Sequence, residues 1–101
     1  MSAPFFGLEA DTLGGLRATG AISFANAARA LGQMPAPVRG SEALKIDLGA
    51  LQGADSATLA VLIAWSAAAR RGGASLRFLR APQGLRDLAR LCEVDGLLGL
   101  A

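Results

Sequence analysis

The sequence predicts a single α/β domain, with three to four helices covering a mostly parallel central sheet of about four to five strands. Two observations support this class. Apolar residues recur with a period of two in some segments and at helical spacing in others, and the two kinds of segment alternate along the chain. A length of 101 residues fits one domain, and the 52% of apolar residues supply a sizeable core.

Four segments are predicted to be strands. Residues 5–10 and 13–18 are short and mixed in character, and the Asp-Thr pair between them favours a turn, so we expect a hairpin of two edge strands. Apolar and charged residues alternate strictly over 44–48, and the same period returns over 76–78. The glycine-bearing stretch that follows the third strand, 49–53, is expected to be a loop.

Two shorter helices are predicted, one before and one after the longest helix. The first follows Ser23, a candidate N-cap, and ends at Gly32, because the prolines after it cannot continue a helix. Its apolar face is formed by Phe24, Ala27, Ala28 and Leu31. The last helix opens at Pro82, and its inward-facing residues are Leu85, Leu88, Ala89 and Cys92.

The longest predicted helix spans residues 56–71. One stripe along it is formed by the apolar residues Leu59, Leu62 and Ile63 together with Ser66. Val61 and Trp65 flank this stripe and are assigned to the core. Arg70 and Arg71 occupy the last turn, where cations complement the negative end of the helix dipole, and two glycines then close the helix.

The positive charge of the chain is concentrated near its C-terminal end. The net charge is only +2, yet six of the ten cations lie in residues 70–90, against the single acid Asp87. They are Arg70, Arg71, Arg77, Arg80, Arg86 and Arg90. Such a cluster can face a phosphate, a nucleic acid or a membrane, or simply water. Because the cluster shows no pattern that marks a nucleic-acid-binding module, we favour solvated faces and expect no nucleic-acid partner.

The single cysteine, Cys92, allows no internal disulfide and fits a reducing compartment. Its place in an apolar helical pattern predicts a buried side chain. The sequence shows no N-terminal basic stretch followed by an apolar run, so we expect no signal peptide. The apolar run 57–69 is shorter than the roughly 18 residues that a membrane span requires. We therefore expect a cytoplasmic protein.

The residue types exclude most catalytic chemistry. The chain has no histidine, so it has no imidazole base and no histidine metal cluster, and its carboxylates are scattered without helical pairing. No phosphate-binding glycine motif occurs. We therefore expect no enzyme activity, no cofactor and no metal.

A small polar cluster, Asp55-Ser56-Ala57-Thr58, stands at the start of the longest predicted helix. Asp55 or Ser56 as N-cap would stabilise the helix by about 1 kcal/mol. Capping does not explain the second hydroxyl of Thr58, or the small side chains around the cluster, which leave the helix start open to another protein. Ser56 is also a candidate phosphorylation site, since a helix start favours an anion.

The sequence resembles the STAS domain family over residues 19–98. The matching segments are "TGAISFANAARAL", the strand "IDL", the loop into "DSATL", the helix end "ARRGG", and "LRFLRAP" with "LARLCEVDGLL". The resemblance implies the STAS fold and a non-enzymatic role in protein–protein interaction. Two branches of the family differ in the partner that they imply.

One branch is the STAS subunit of the Mla phospholipid-transport ABC complex, whose residue at the position of Ser56 contacts the ATPase subunit. The other branch is the anti-sigma-factor antagonists, in which the matching serine is phosphorylated by an anti-sigma-factor kinase. The antagonists usually carry Gly where this chain has Thr58, and an acid where it has Ser23. We therefore favour the transport subunit, which is peripheral to the membrane only through its partner, with Asp55, Ser56, Ala57 and Thr58 as the contact.

Overall fold

The chain forms one four-stranded sheet packed against helices. The computed structural model describes residues 5–10, 15–33 and 44–100. The elements are β1 (Phe6–Ala10), β2 (Leu16–Gly20), α1 (Ala27–Gly32), β3 (Leu44–Leu51), α2 (Ser56–Arg71), β4 (Leu76–Leu79), α3 (Gln83–Leu91) and α4 (Asp95–Leu98). The predicted α/β class with a mostly parallel sheet is confirmed, and α4 is an additional short helix that the periodicity did not indicate.

The strands lie in the order β1-β2-β3-β4. β1 and β2 are antiparallel, while β2 with β3 and β3 with β4 are parallel. The predicted hairpin is therefore present, but β2 lies inside the sheet, and the two edges are β1 and β4. β2 also begins at Leu16, three residues later than predicted, and ends at Gly20, two residues later than predicted. The turn predicted at residues 11–12 lies outside the described residues.

Gly20 explains where β2 ends. Its backbone has φ +83°, and an added Cβ would lie only 2.0 Å from the carbonyl oxygen of Phe5. Any side chain would therefore meet both an unfavourable backbone conformation and a backbone clash. Because Gly20 has no side chain, the chain after β2 can pass close to the residue before β1. There the N–H of Ala21 donates to the same Phe5 carbonyl at 2.9 Å.

The predicted strand over 44–48 continues to Leu51, so the expected loop at 49–53 is confined to its last two residues. The extra length pairs with β2, since Ala50 is opposite Thr19 and Leu51 is opposite Gly20. Sequence periodicity did not indicate this extension, because Gly49 and Ala50 are exposed and break the apolar alternation.

The described helices cover only one face of the sheet. The connections β2-α1-β3 and β3-α2-β4 run in the same direction along the sheet, and right-handed crossovers of that kind place both helices on one side. The strand residues that face them are buried, namely Phe6, Ala18, Ile46, Leu48 and Phe78. The alternate residues form the opposite face, which is charged and includes Glu9, Arg17, Lys45, Asp47 and Arg77.

α2 supplies most of the helical side of the core. Val61, Leu62 and Trp65 are each no more than 2% exposed, so the prediction that Val61 and Trp65 belong to the core is confirmed. The ring of Trp65 packs on Phe6 with the centroids 5.9 Å apart. No helix in the described ranges is long and apolar enough to cross a membrane.

The prediction for the first helix is wrong at its start and for most of its apolar face. α1 begins at Ala27, because the side chain of Asn26 organises the preceding turn: its Oδ1 accepts from the N–H of Ser23 at 2.8 Å. The buried residue of α1 is Ala30, and Ala27 of the predicted face packs against the core while partly buried. Phe24, which lies before the helix, is 80% exposed, and Leu31 is 43% exposed.

The prediction that Cys92 is buried is also wrong. α3 buries Leu85 and Ala89 as expected but ends at Leu91, and Cys92 is its exposed C-cap. The chain then reverses direction at Glu93, which has φ 60°. The apolar face of α3 therefore ends before Cys92, although the helical spacing of the sequence continues to it.

The charged face of the sheet contains an ion pair that makes stability depend on pH. The guanidinium of Arg80 lies 2.7 Å from Oδ2 of Asp47. Hydrogen bonds from Arg80, and then from the N–H of Gly49, hold the pKa of Asp47 below its usual 3.8. A carboxyl with a lowered pKa in the folded state stabilises the fold above its unfolded pKa, and this contribution is lost as the pH falls through the folded pKa.

We expect Asp47→Asn to lower the free energy of unfolding by about 0.5–1 kcal/mol at neutral pH, a small effect because Arg80 is largely exposed. Below about pH 4 the difference from the parent protein should shrink as Asp47 itself becomes protonated. Urea unfolding of both proteins at pH 7 and pH 3 measures this. An equal difference at the two pH values would contradict the assigned role of the ion pair.

Candidate functional site

The polar cluster lies where β3 passes into α2. Gln52 follows the last residue of β3, and its N–H donates to the carbonyl of Gly20 at 2.7 Å, which joins the loop to the end of β2. Gly53 turns the chain with φ +75°. Asp55 then takes extended backbone angles and its Oδ1 accepts the N–H of Thr58 at 2.9 Å. Of the two candidate N-caps, the structure selects Asp55.

Thr58 faces the interior rather than the surface. It is 1% exposed, and its Oγ1 donates to the carbonyl of Ile22 at 2.8 Å while lying 3.2 Å from Oδ1 of Asp55. Thr58, one of the four predicted contact residues, therefore makes its side-chain hydrogen bonds within the domain. The hydrogen bond to Ile22 joins the start of α2 to the loop between β2 and α1. It also gives the carbonyl of Ile22, a buried residue, a hydrogen-bond partner.

Asp55 and Ser56 are exposed, and so are the three residues before them. Ala57 is 2% exposed and packs beneath them. We define the helix-start surface as residues 52–56. The structure thus brings two of the four predicted contact residues to the surface and places Ala57 and Thr58 below it as support.

Two neighbouring elements border the helix-start surface. A Cβ added to Gly84 would lie 3.6 Å from the Cβ of Ala54, so the start of α3 adjoins the loop before α2. The loop after β2 is the second neighbour, since Gly20 and Ile22 accept hydrogen bonds from Gln52 and Thr58, and this loop continues into Phe24, which is 80% exposed. Sequence reasoning assigned Phe24 to a helix face, because its spacing to the following alanines is helical, and therefore missed it as a surface residue.

The chemistry available at this surface is recognition. Asp55 already occupies the favourable position at the helix start, and its carboxylate accepts one of the N–H groups that would otherwise meet an anion. Within the described residues, no group of three potential metal ligands comes together. The surface offers the Ser56 hydroxyl, the Asp55 carboxylate, the Gln52 amide and exposed backbone.

The arginine cluster does not form one patch. Arg70 and Arg71 lie in the last turn of α2, Arg77 projects from β4, and Arg80 binds Asp47 on the charged face of the sheet. The remaining two arginines lie on α3. Arg70, Arg77 and Arg80 line one groove beside β4, and the other three arginines lie outside it, while the exposure of most of the six agrees with the interpretation that these side chains are solvated.

One protein family matches the chain. The family model is described as "Mlab, STAS domain", and the match covers residues 9–99, which includes every element described above except the first three residues of β1. No curated protein matches the chain at a significant level.

Proposed function

The chain belongs to the STAS domain family of the MlaB type, and on that basis we propose that it is a non-enzymatic accessory subunit of a phospholipid-transport ABC complex, whose ATPase subunit it binds and stabilises. Domains of this family are generally non-enzymatic and act as regulatory or accessory modules. The observation that carries the proposal is the exposed pair Asp55 and Ser56 at the start of α2.

The helix-start surface is suited to docking because it is rigid before a partner arrives. The Asp55 cap, the Thr58–Ile22 hydrogen bond and the Gln52–Gly20 hydrogen bond all fix it from within the domain. Binding through a preformed surface avoids much of the entropy loss of ordering a loop. The small side chains of 53–56 allow the backbone of a partner to approach closely.

Replacing Ser56 with arginine tests the proposal directly. Ser56 is exposed, so the variant should fold normally, but the long charged side chain should prevent close approach and abolish co-purification with the ATPase. Ala68→Arg is the matched control, since Ala68 is exposed on the same helix three turns away. If Ser56→Arg still co-purifies with the ATPase and supports its activity, the proposal is wrong.

Phe24 is expected to add an apolar anchor at the border of this surface. Aromatic side chains that become fully desolvated are the usual hot spots of interfaces. We expect Phe24→Ser to weaken binding to the ATPase by about tenfold while leaving stability nearly unchanged, because the ring is 80% exposed in the free domain. Titration calorimetry of the purified pair measures the affinity. An unchanged dissociation constant would place Phe24 outside the interface.

The second candidate function is the anti-sigma-factor antagonist. The inward orientation of Thr58 supports it, because that side chain does not obstruct the approach of an anti-sigma-factor kinase to the exposed Ser56. This candidate requires a Ser56 phosphoprotein in cells, and a Ser56→Ala form that binds the kinase constitutively. Intact-mass measurement of the protein from its native host distinguishes the two, since only the antagonist gains the mass of one phosphate.

A further inference from the structure

A groove of about 430 Å³ runs along the outer edge of the sheet, between β4, the C-terminal half of α2 and α4. We call it the β4-edge groove. Its lining includes Ser66, Arg70, Ser75, Arg77, Phe78 and Leu97. It lies at the opposite end of α2 from the helix-start surface, so it is a separate feature of the domain.

The first observation is an open strand edge. β4 pairs only with β3 and is the last strand of the sheet. Among the described residues no strand meets its outer side, so alternate backbone N–H and carbonyl groups of β4 face the groove. No proline interrupts β4, and its four residues span about 13 Å, the length of a short added strand.

The second observation is the charge of the lining. Arg70 and Arg77 are exposed and make no ion pair with any described residue, while no acidic side chain lines the groove within the described ranges. Leu97 adds apolar surface, since it is 48% exposed, while Phe78 lies buried beneath the groove. Strand edge, positive charge and apolar surface thus occur together.

We infer that the β4-edge groove binds an extended acidic segment of a partner protein, which adds to β4 as a fifth strand. Main-chain hydrogen bonds along β4 would give the affinity, and the alternating side chains of the added strand would give the specificity. Its carboxylates would meet Arg70 and Arg77, and its apolar residues would cover Leu97. This inference is independent of the function proposed for the helix-start surface.

The test uses the full chain and a fluorescein-labelled octapeptide of alternating glutamate and valine, with binding followed by fluorescence anisotropy. We expect saturable binding that weakens at least about tenfold in the double variant Arg70→Glu/Arg77→Glu, each tenfold corresponding to about 1.4 kcal/mol. Arg71→Glu/Arg90→Glu is the matched control. Both of its arginines are exposed and outside the groove, and the net charge changes equally, so its affinity should stay within about twofold of the parent.

Backbone pairing is tested without altering the protein. Peptides N-methylated at every second residue keep their charge but lose alternate N–H donors, and one of the two methylation phases should abolish binding. Equal binding of both methylated peptides and the parent peptide would overturn strand addition in favour of a simple anion site.

Three other results would also overturn the inference. Absence of peptide binding would mean that Arg77 only protects the edge from aggregation. Equal loss of affinity in the two double variants would mean that net charge alone attracts the peptide. Sedimentation with phosphatidylglycerol vesicles that depends on Arg70 and Arg77, without peptide binding, would make a membrane the occupant.

Discussion

Replacing Trp65 with alanine is expected to lower the free energy of unfolding by about 3–5 kcal/mol, a large part of the stability of a domain of this size. Trp65 is 1% exposed and is the largest buried side chain of α2. Its ring contacts Phe6 of β1, so it joins the central helix to the first strand. Alanine would leave a cavity between these elements that the close-packed core can fill only in part.

Trp65→Phe provides the informative comparison. The indole Nε1 of Trp65 is buried and has no hydrogen-bond partner among the described residues. Phenylalanine removes this unsatisfied donor, whose burial costs about 1–3 kcal/mol, while it retains most of the ring contact with Phe6. The loss in Trp65→Phe should therefore be less than half of that in Trp65→Ala. Urea unfolding followed by far-UV circular dichroism measures both, and equal losses would contradict this account.

The second large effect is expected from Thr58→Val, which should lower the free energy of unfolding by about 2 kcal/mol. Valine has nearly the same shape, so packing is preserved while the buried carbonyl of Ile22 loses its hydrogen bond from α2. The loop between β2 and α1 should loosen, and amide hydrogen exchange near Ile22 should become faster. Binding at the helix-start surface should weaken as well, although Thr58 is not exposed to a partner.

Thr19→Val is the matched control for this change. Thr19 lies in β2, and its hydroxyl is 3.4 Å from the carbonyl of Gly7, a long contact that contributes little. Valine is also favoured in strands, so the effect on stability should be within about 0.5 kcal/mol. If Thr19→Val and Thr58→Val destabilise the domain equally, the Thr58–Ile22 hydrogen bond has no special importance.

The sequence predicted the fold well wherever burial follows a regular period. The alternation over 44–48 identified the central strand, and the helical spacing over 56–71 gave both ends of α2 as the structure has them. The glycine pair after α2 and the proline before α3 marked the boundaries correctly. Periodic apolar residues, and the glycines and prolines at element ends, reflect local backbone geometry, and a sequence pattern can therefore indicate them.

What the sequence did not indicate depends on tertiary contacts. The true start of α1 is set by the side chain of Asn26, which also donates to the carbonyl of Ala21 at 2.9 Å. The inward turn of Thr58 depends on Ile22, which is 36 residues away. The interior position of β2 depends on its pairing with β3. None of these contacts leaves a periodic signal in the sequence. Only the structure therefore shows which residues of the 55–58 cluster cap or support the helix and which are exposed to a partner.

The exposed position of Cys92 has a practical consequence for all of these binding measurements. It is the single thiol of the chain and lies at the end of α3 that is remote from Gly84 and Ala54. One maleimide dye can therefore be attached at a defined point without a cysteine-free background. The same accessibility means that purified protein kept without a reducing agent will form covalent pairs through this sulfur, and these would imitate a dimer on gel filtration.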